Sequence, residues 1–299
     1  MQYDDPCGHL DCTTPDPSLM AALLALLSAA AYGTGDFFGG LASRRSPVSG
    51  VVLRTHAVGL ALLVVVAPFA GGVLTGGDAV IGVAAGVSGG LAVALFYQGL
   101  AVGTMSVVAP ITALLGTAVP VLYGLVQGER PSIIAGAGIV LALVAIALVS
   151  AEDDEDGRRG IRDRRVIGLA LASGAGFGVF FVVLAEAGDD AGLWPVLVAR
   201  LASVALFALL VRSRFTVSRP LGAGTWRLAV LAGVLDVVAN AAYVFATREG
   251  LLSVVAVLTS LYPAGTVVLA RLFLAERLCP PQRVGLGLAA VAAVMVAAA

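Results

Sequence analysis

Ser106–Arg130 reads SVVAPITALLGTAVPVLYGLVQGER, and Ser253–Arg277 reads SVVAVLTSLYPAGTVVLARLFLAER. The two stretches lie 147 residues apart and align without a gap, with 11 of 25 positions identical. The identities include Ser106/Ser253, Ala109/Ala256, Thr112/Thr259, Glu129/Glu276 and Arg130/Arg277. Each copy is an apolar run of helix length that stops at Glu-Arg. A period of about half the chain is too long for a solenoid unit of roughly 20–50 residues. It points to a duplicated membrane domain, the way many secondary transporters are built.

The repeat extends outward from there. At the same offset Gly86-Val87 matches Gly233-Val234, Ala94 matches Ala241, and Gly103 matches Gly250. Arg54 matches Arg200 at an offset of 146. Ser28, Ala30, Tyr32 and Gly33 match Ser173, Ala175, Phe177 and Gly178 at 145.

Composition sets the environment. Of 299 residues, 59% are hydrophobic and 12% charged, and the mean hydropathy is +0.99. A soluble domain carries about 25% charged residues, so the chain reads as an integral membrane protein. The net charge is −1, and all 18 basic residues are arginine. No basic patch is interleaved with aromatics, so nucleic-acid binding is not expected. Three scattered cysteines make no disulfide framework. The 37 glycines suit close helix packing in lipid.

Ten spans of about 20 residues, the length that crosses roughly 30 Å of hydrocarbon, are predicted. They fall near 20–42, 47–68, 79–101, 105–127, 132–151, 166–187, 192–212, 226–247, 253–275 and 281–299. The runs are too long and continuous for barrel strands. Breakers separate them at Ser46-Pro47, Gly76-Gly77-Asp78, Pro131, Pro195, Pro220 and Pro280-Pro281.

Residues 1–19 read as a disordered, acidic, proline-containing tail. Cys7, His9, Asp11 and Cys12 could be drawn as a metal site, but nothing supplies a further ligand, and no metal or cofactor is expected. Met20 directly precedes the first apolar run and is the expected natural start, testable by N-terminal sequencing. Residues 20–151 form the first five-helix unit and 166–299 the second. The charged stretch 152–165, EDDEDGRRGIRDRR, links them. Five is odd, so the two units enter the membrane in opposite senses. The predicted fold is an all-α integral membrane protein of ten helices in two inverted five-helix repeats, with a pathway at their interface.

Two five-span units, each with a fourth helix ending in Glu-Arg, resemble the drug/metabolite transporter superfamily, specifically EamA-type permeases. The resemblance covers about residues 20–299. In the first copy Gln127-Gly128 precedes Glu129 where Leu-Gly is more usual. The resemblance implies a carrier in the cell membrane, an exporter of amino acids or other small metabolites, or of drugs and lipophilic cations. Its expected partners are a small-molecule substrate and the bilayer, as a monomer or homodimer. Arginines crowd the connections after odd-numbered spans (Arg44, Arg45, Arg158, Arg159, Arg162, Arg164, Arg165, Arg212, Arg214, Arg219, Arg277). By the positive-inside rule this places both termini outside, whereas the resemblance places them inside.

Ionisable groups deep in a span are expensive and usually functional. Asp36 lies inside span one, one turn after Tyr32. Asp236, Asn240 and Tyr243 form a polar stripe on span eight. Low dielectric favours the protonated form of a carboxyl, so Asp36 and Asp236 are candidate proton or cation sites. The structural alternative pairs Asp36 with Arg54. Arg54 and Arg200 are candidate contacts for an anionic group, or snorkel to the interface. All four charges together would suit a zwitterion such as an amino acid. Tyr97 and Gln98 occupy the matching part of span three. Tyr262-Pro263 interrupts span nine, and Pro110 and Pro120 interrupt span four, freeing carbonyls that can line a cavity. His56 reads as a packing residue or a proton relay, and Trp194 as an interface anchor.

Gly82, Gly86 and Gly90 form a small-residue stripe for a neighbouring helix, in the bundle or across a dimer. Glu129, Arg130, Glu276 and Arg277 read as structural helix-end groups. The match of Gly86–Gly90 to G-x-S-x-G lies inside an apolar helix, not on the strand–turn–helix elbow of a hydrolase. No P-loop, H-E-x-x-H or dinucleotide fingerprint is present, so enzymatic activity is not expected. A channel would want a lined filter or a charged ring. A non-transporting scaffold would leave the span-eight stripe unexplained.

Overall fold

The computed structural model describes residues 17–102, 105–149, 164–212, 222–274 and 280–297. Among them are eleven α-helices: α1 (Pro17–Ser43), α2 (Val48–Val66), α3 (Gly76–Val102), α4 (Met105–Val126), α5 (Ile133–Val149), α6 (Arg164–Ala185), α7 (Trp194–Arg212), α8 (Ala223–Glu249), α9 (Leu252–Thr259), α10 (Tyr262–Leu274) and α11 (Pro280–Ala297). Six helices are long and apolar enough to cross a membrane, and four shorter apolar segments accompany them. Each stretch expected to span is helical, and the ninth is two helices. α1 begins at Pro17, inside the stretch read as tail. Cys7, His9, Asp11, Cys12, the linker up to residue 163, Glu276 and Arg277 lie outside the described residues.

Local chemistry explains the ends. Thr75 and Asp78 form a reciprocal capping pair at the start of α3. The Asp78 amide donates to Thr75 Oγ1 at 3.2 Å, and the Thr75 amide donates to Asp78 Oδ2 at 3.1 Å. Gly76–Asp78, read as a turn, is therefore the first turn of the helix. Pro195 and Pro280 sit in first turns, where a missing N–H costs nothing. α4 runs through Pro110 and Pro120 without interruption, against expectation. The break comes instead at Ser260-Leu261, just before Tyr262-Pro263.

α4 ends in a Schellman turn. The Glu129 amide donates to the Gly124 carbonyl at 2.9 Å, and that of Gly128 to Leu125 at 3.1 Å. Gly128 takes φ +94°, which only glycine adopts without strain.

Packing follows the sequence repeat. α1 lies against α8, and the equivalent α6 lies against α3. α2 meets α7, α4 meets α9, and α5 meets α11. A matched pair of hydrogen bonds marks the equivalence. Ser28 Oγ donates to the Ala239 carbonyl at 2.8 Å, and Ser173 Oγ to that of Ala92 at 3.0 Å. Both pairs obey the offsets of 145 and 147.

The interior is built of small residues, with Ala25, Ala42, Ala85, Ala92, Ala142, Ala170 and Ala239 fully buried. Large apolar groups face outward, Ile133 at 93% and Phe69 at 87% exposure. That inversion suits lipid, where close backbone approach rather than hydrophobic exclusion holds helices together. Gly82, Gly86 and Gly90 are buried against α7, at Val198, the Ala199 carbonyl and Ser203. The stripe thus packs within the bundle.

Candidate functional site

A cavity lies between the two repeats. It is lined from α1, α2, α3, α4, α6, α7, α8, Ser260 and Tyr262, with nothing from α5 or α11. Its volume is about 50 Å³, enough for a handful of waters at roughly 10–15 Å³ each.

Two of its charges are mutually neutralised. Arg200 on α7 and Asp236 on α8 form an ion pair, with side chains 9% and 18% exposed. Asp36 on α1 also lines the cavity and pairs with no cation among the described residues. The expected Asp36–Arg54 pairing is not made. Arg54 Nη1 donates to the Gly50 carbonyl of its own helix at 2.9 Å, and Arg54 does not reach the cavity. Its neighbours Thr55 and His56 do. His56 Nδ1 lies 3.0 Å from Ser203 Oγ, which donates to the Arg200 carbonyl at 3.1 Å.

The remaining polar groups divide by helix phase. Asn240 lines the cavity one turn after Asp236, and its amide donates to the Asp236 carbonyl at 2.7 Å. Its buried Oδ1 has no hydrogen-bond partner, and neither does the hydroxyl of Tyr32. Tyr243 completes the stripe in sequence but not in space. Seven residues advance a helix by about 10 Å, which brings Tyr243 to α6, where its hydroxyl donates to the Phe181 carbonyl at 3.0 Å. It is a buried structural pin and does not line the cavity. Tyr97 lines the cavity, whereas Gln98, about 100° further round α3, does not. Tyr262 lines it at the helix break.

Sequence reasoning missed the aromatic part of the lining, formed by Phe177, Phe180 and Phe181 of α6. Phe180 and Phe181 have ring centroids 5.3 Å apart, and Tyr32 meets Phe181 edge-on at 6.0 Å. The signal was available: the offset that pairs Tyr32 with Phe177 also pairs Asp36 with Phe181.

Glu129 acts away from the cavity. Its carboxylate accepts the amides of Leu252 at 2.7 Å and Ser253 at 3.0 Å, capping α9 of the second repeat. Gly124 makes room, because a side chain there would collide with the Glu129 carboxylate. Arg130, the second member of that signature, is exposed. Nearby, Arg248 donates to the Gly188 and Gly192 carbonyls at 3.3 and 3.0 Å. Trp194 Nε1 donates to the Gly72 carbonyl at 3.2 Å, tying down a loop. No group of three His, Cys, Asp or Glu side chains able to hold a metal occurs among the described residues.

The chain matches the EamA-like transporter family model twice, over residues 19–151 and 164–298. It is similar in fold to a solved structure described only as "Crystal structure of protein", with a TM-score of 0.70 and 17% identity over 92% of this chain and 94% of that one. No curated protein matches the chain.

Proposed function

The chain belongs to the EamA-like transporter family and is a multi-pass membrane transporter; from that premise we propose a secondary carrier that works by alternating access, exports a small organic molecule across the cell membrane and is coupled to protons. Ten crossings in two inverted five-helix units are the architecture this reading uses. The observation that carries it is the cavity between the repeats, with an uncompensated carboxylate, Asp36, on its wall. In low dielectric such a group takes up and releases a proton according to what lies beside it. As it stands the cavity, about 50 Å³, has room for only a few waters. Loading therefore needs the helices to part, as rocking of one repeat against the other does.

The test is flux in proteoliposomes under an imposed pH gradient, with a panel of amino acids and cationic dyes. Wild type should move at least one panel member in response to the gradient, and Asp36→Asn should lose that response. Gradient-driven flux that survives in Asp36→Asn would place coupling elsewhere. A single-channel conductance would replace the carrier with a pore.

A further inference from the structure

The charge balance of the cavity points to a substrate class. Of the ionisable groups on its wall, Asp36 faces it from α1 and Asp236 from α8, while Arg200 supplies one positive charge from α7. His56 from α2 meets the Ser203 hydroxyl rather than a carboxylate. Tyr32, Tyr97 and Tyr262, from α1, α3 and α10, are neutral phenols. α4 and α6 contribute no titratable group to the lining. The Arg200–Asp236 pair cancels, Arg54 is absent, and one negative charge is left over. Two further features point inward at a ligand. Asn240, on the cavity wall, is 1% exposed and its Oδ1 has no partner, so an acceptor waits for a donor. Phe177, Phe180 and Phe181 of α6 line the same cavity and give a flat apolar group an aromatic surface to pack on.

We propose that the site takes a small monovalent organic cation, an ammonium on a flat apolar body. The charged nitrogen sits against Asp36 and donates to Asn240, and the body lies against the α6 phenylalanines. This rests on the carrier reading of the same cavity and narrows its cargo. A zwitterion would need a free cation for its carboxylate, and among the described residues the only arginine on the wall is already paired. A proton and the ammonium would then compete for the same carboxylate.

Three probes with one body and different heads test this: phenethylamine, phenylalanine and phenylacetate. Affinities are measured by calorimetry on the purified full-length protein in detergent, and flux of the same compounds in proteoliposomes. Phenethylamine should bind at least about ten-fold tighter than phenylalanine, and phenylacetate weakest. Asp36→Asn should reduce that preference to under about three-fold, and Asp36→Glu, which keeps the charge, should retain it. Asp236→Asn leaves Arg200 as counter-charge to Asp36 and should turn the preference toward phenylalanine. Should Asp36→Asn fail to give a monodisperse protein, this reversal and the Asp36→Glu result decide the matter.

Equal or tighter binding of phenylalanine by wild type, or no binding of any probe, overturns the proposal. An amine preference without flux supports the cation site and removes the carrier reading. Flux of phenylalanine with no amine preference keeps the carrier and removes the cation site.

Discussion

The helix pairs α1–α8 and α6–α3 each join a helix of one repeat to a helix of the other and are related by the repeat, and they have the same joints but opposite chemistry. Each is closed by a buried serine that donates to a carbonyl of the partner helix. On the cavity side the first pair presents Tyr32, Asp36, Asp236 and Asn240. The offsets of 145 and 147 give their counterparts in the second pair as Phe177, Phe181, Gly89 and Val93, and all four line the same cavity. Duplication preserved the packing while the lining diverged into a charged wall and an aromatic wall. A symmetric lining would have faced four acids toward one another, with repulsion that low dielectric magnifies. Asymmetry lets one inter-repeat helix pair supply the charge and the other the surface it acts across.

The sharpest test of that contrast is a pair of arginines at equivalent positions. Arg200→Met leaves Asp236 inside without its counter-charge and should destabilise the protein by about 3–5 kcal/mol. Arg54→Met removes a bond to its own helix backbone and should cost no more than about 1 kcal/mol. Thermal unfolding in detergent measures both, and equal losses would break the comparison. The shared joint should behave in the opposite way. Ser28→Ala and Ser173→Ala should each cost about 0.6–1 kcal/mol, and by similar amounts. A several-fold difference between them would mean that packing diverged along with chemistry. The smallest expected effect is that of Tyr32→Phe, which copies Phe177. The Tyr32 hydroxyl has no partner, so unfolding should shift by less than about 0.5 kcal/mol. Any larger change should appear in ligand affinity instead.

Most of the helical layout was legible, because a span of apolar residues has few other ways to satisfy its backbone in lipid. Asp36, Arg200, Asp236, Asn240, Tyr32, Tyr97 and Tyr262 were found because polar groups in such spans stand out, and all seven line the cavity. What was not legible was angular and relational. Gln98 adjoins Tyr97 in sequence but points elsewhere on the helix, and Tyr243 is displaced along the axis to another neighbour. Arg54 and Arg200 looked alike because each was read alone. Their fates differ because the acid opposite Arg200 has glycine, Gly89, as its repeat counterpart. The phenylalanine wall was passed over because apolar residues in an apolar helix carry no contrast. The proline breaks were half legible: Tyr262-Pro263 marks a real interruption, whereas Pro110 and Pro120 sit within a helix that continues through them.

The cap that Glu129 places on α9 also has a position in time. Its two donors lie 123 and 124 residues further along the chain. At about 5–20 residues per second of synthesis, the carboxylate waits roughly 6–25 s for them. The turn that presents it is complete at once, because Gly124 and Gly128 close it locally. The first repeat therefore emerges with a ready clasp and no strap, and the start of α9 fastens it only after four more helices have been made. In the sequence, the positions that correspond to Gly124 and Gly128 in the second repeat hold Arg271 and Ala275. The order of synthesis is thereby written into the joint between the halves: the earlier repeat holds, and the later one is received.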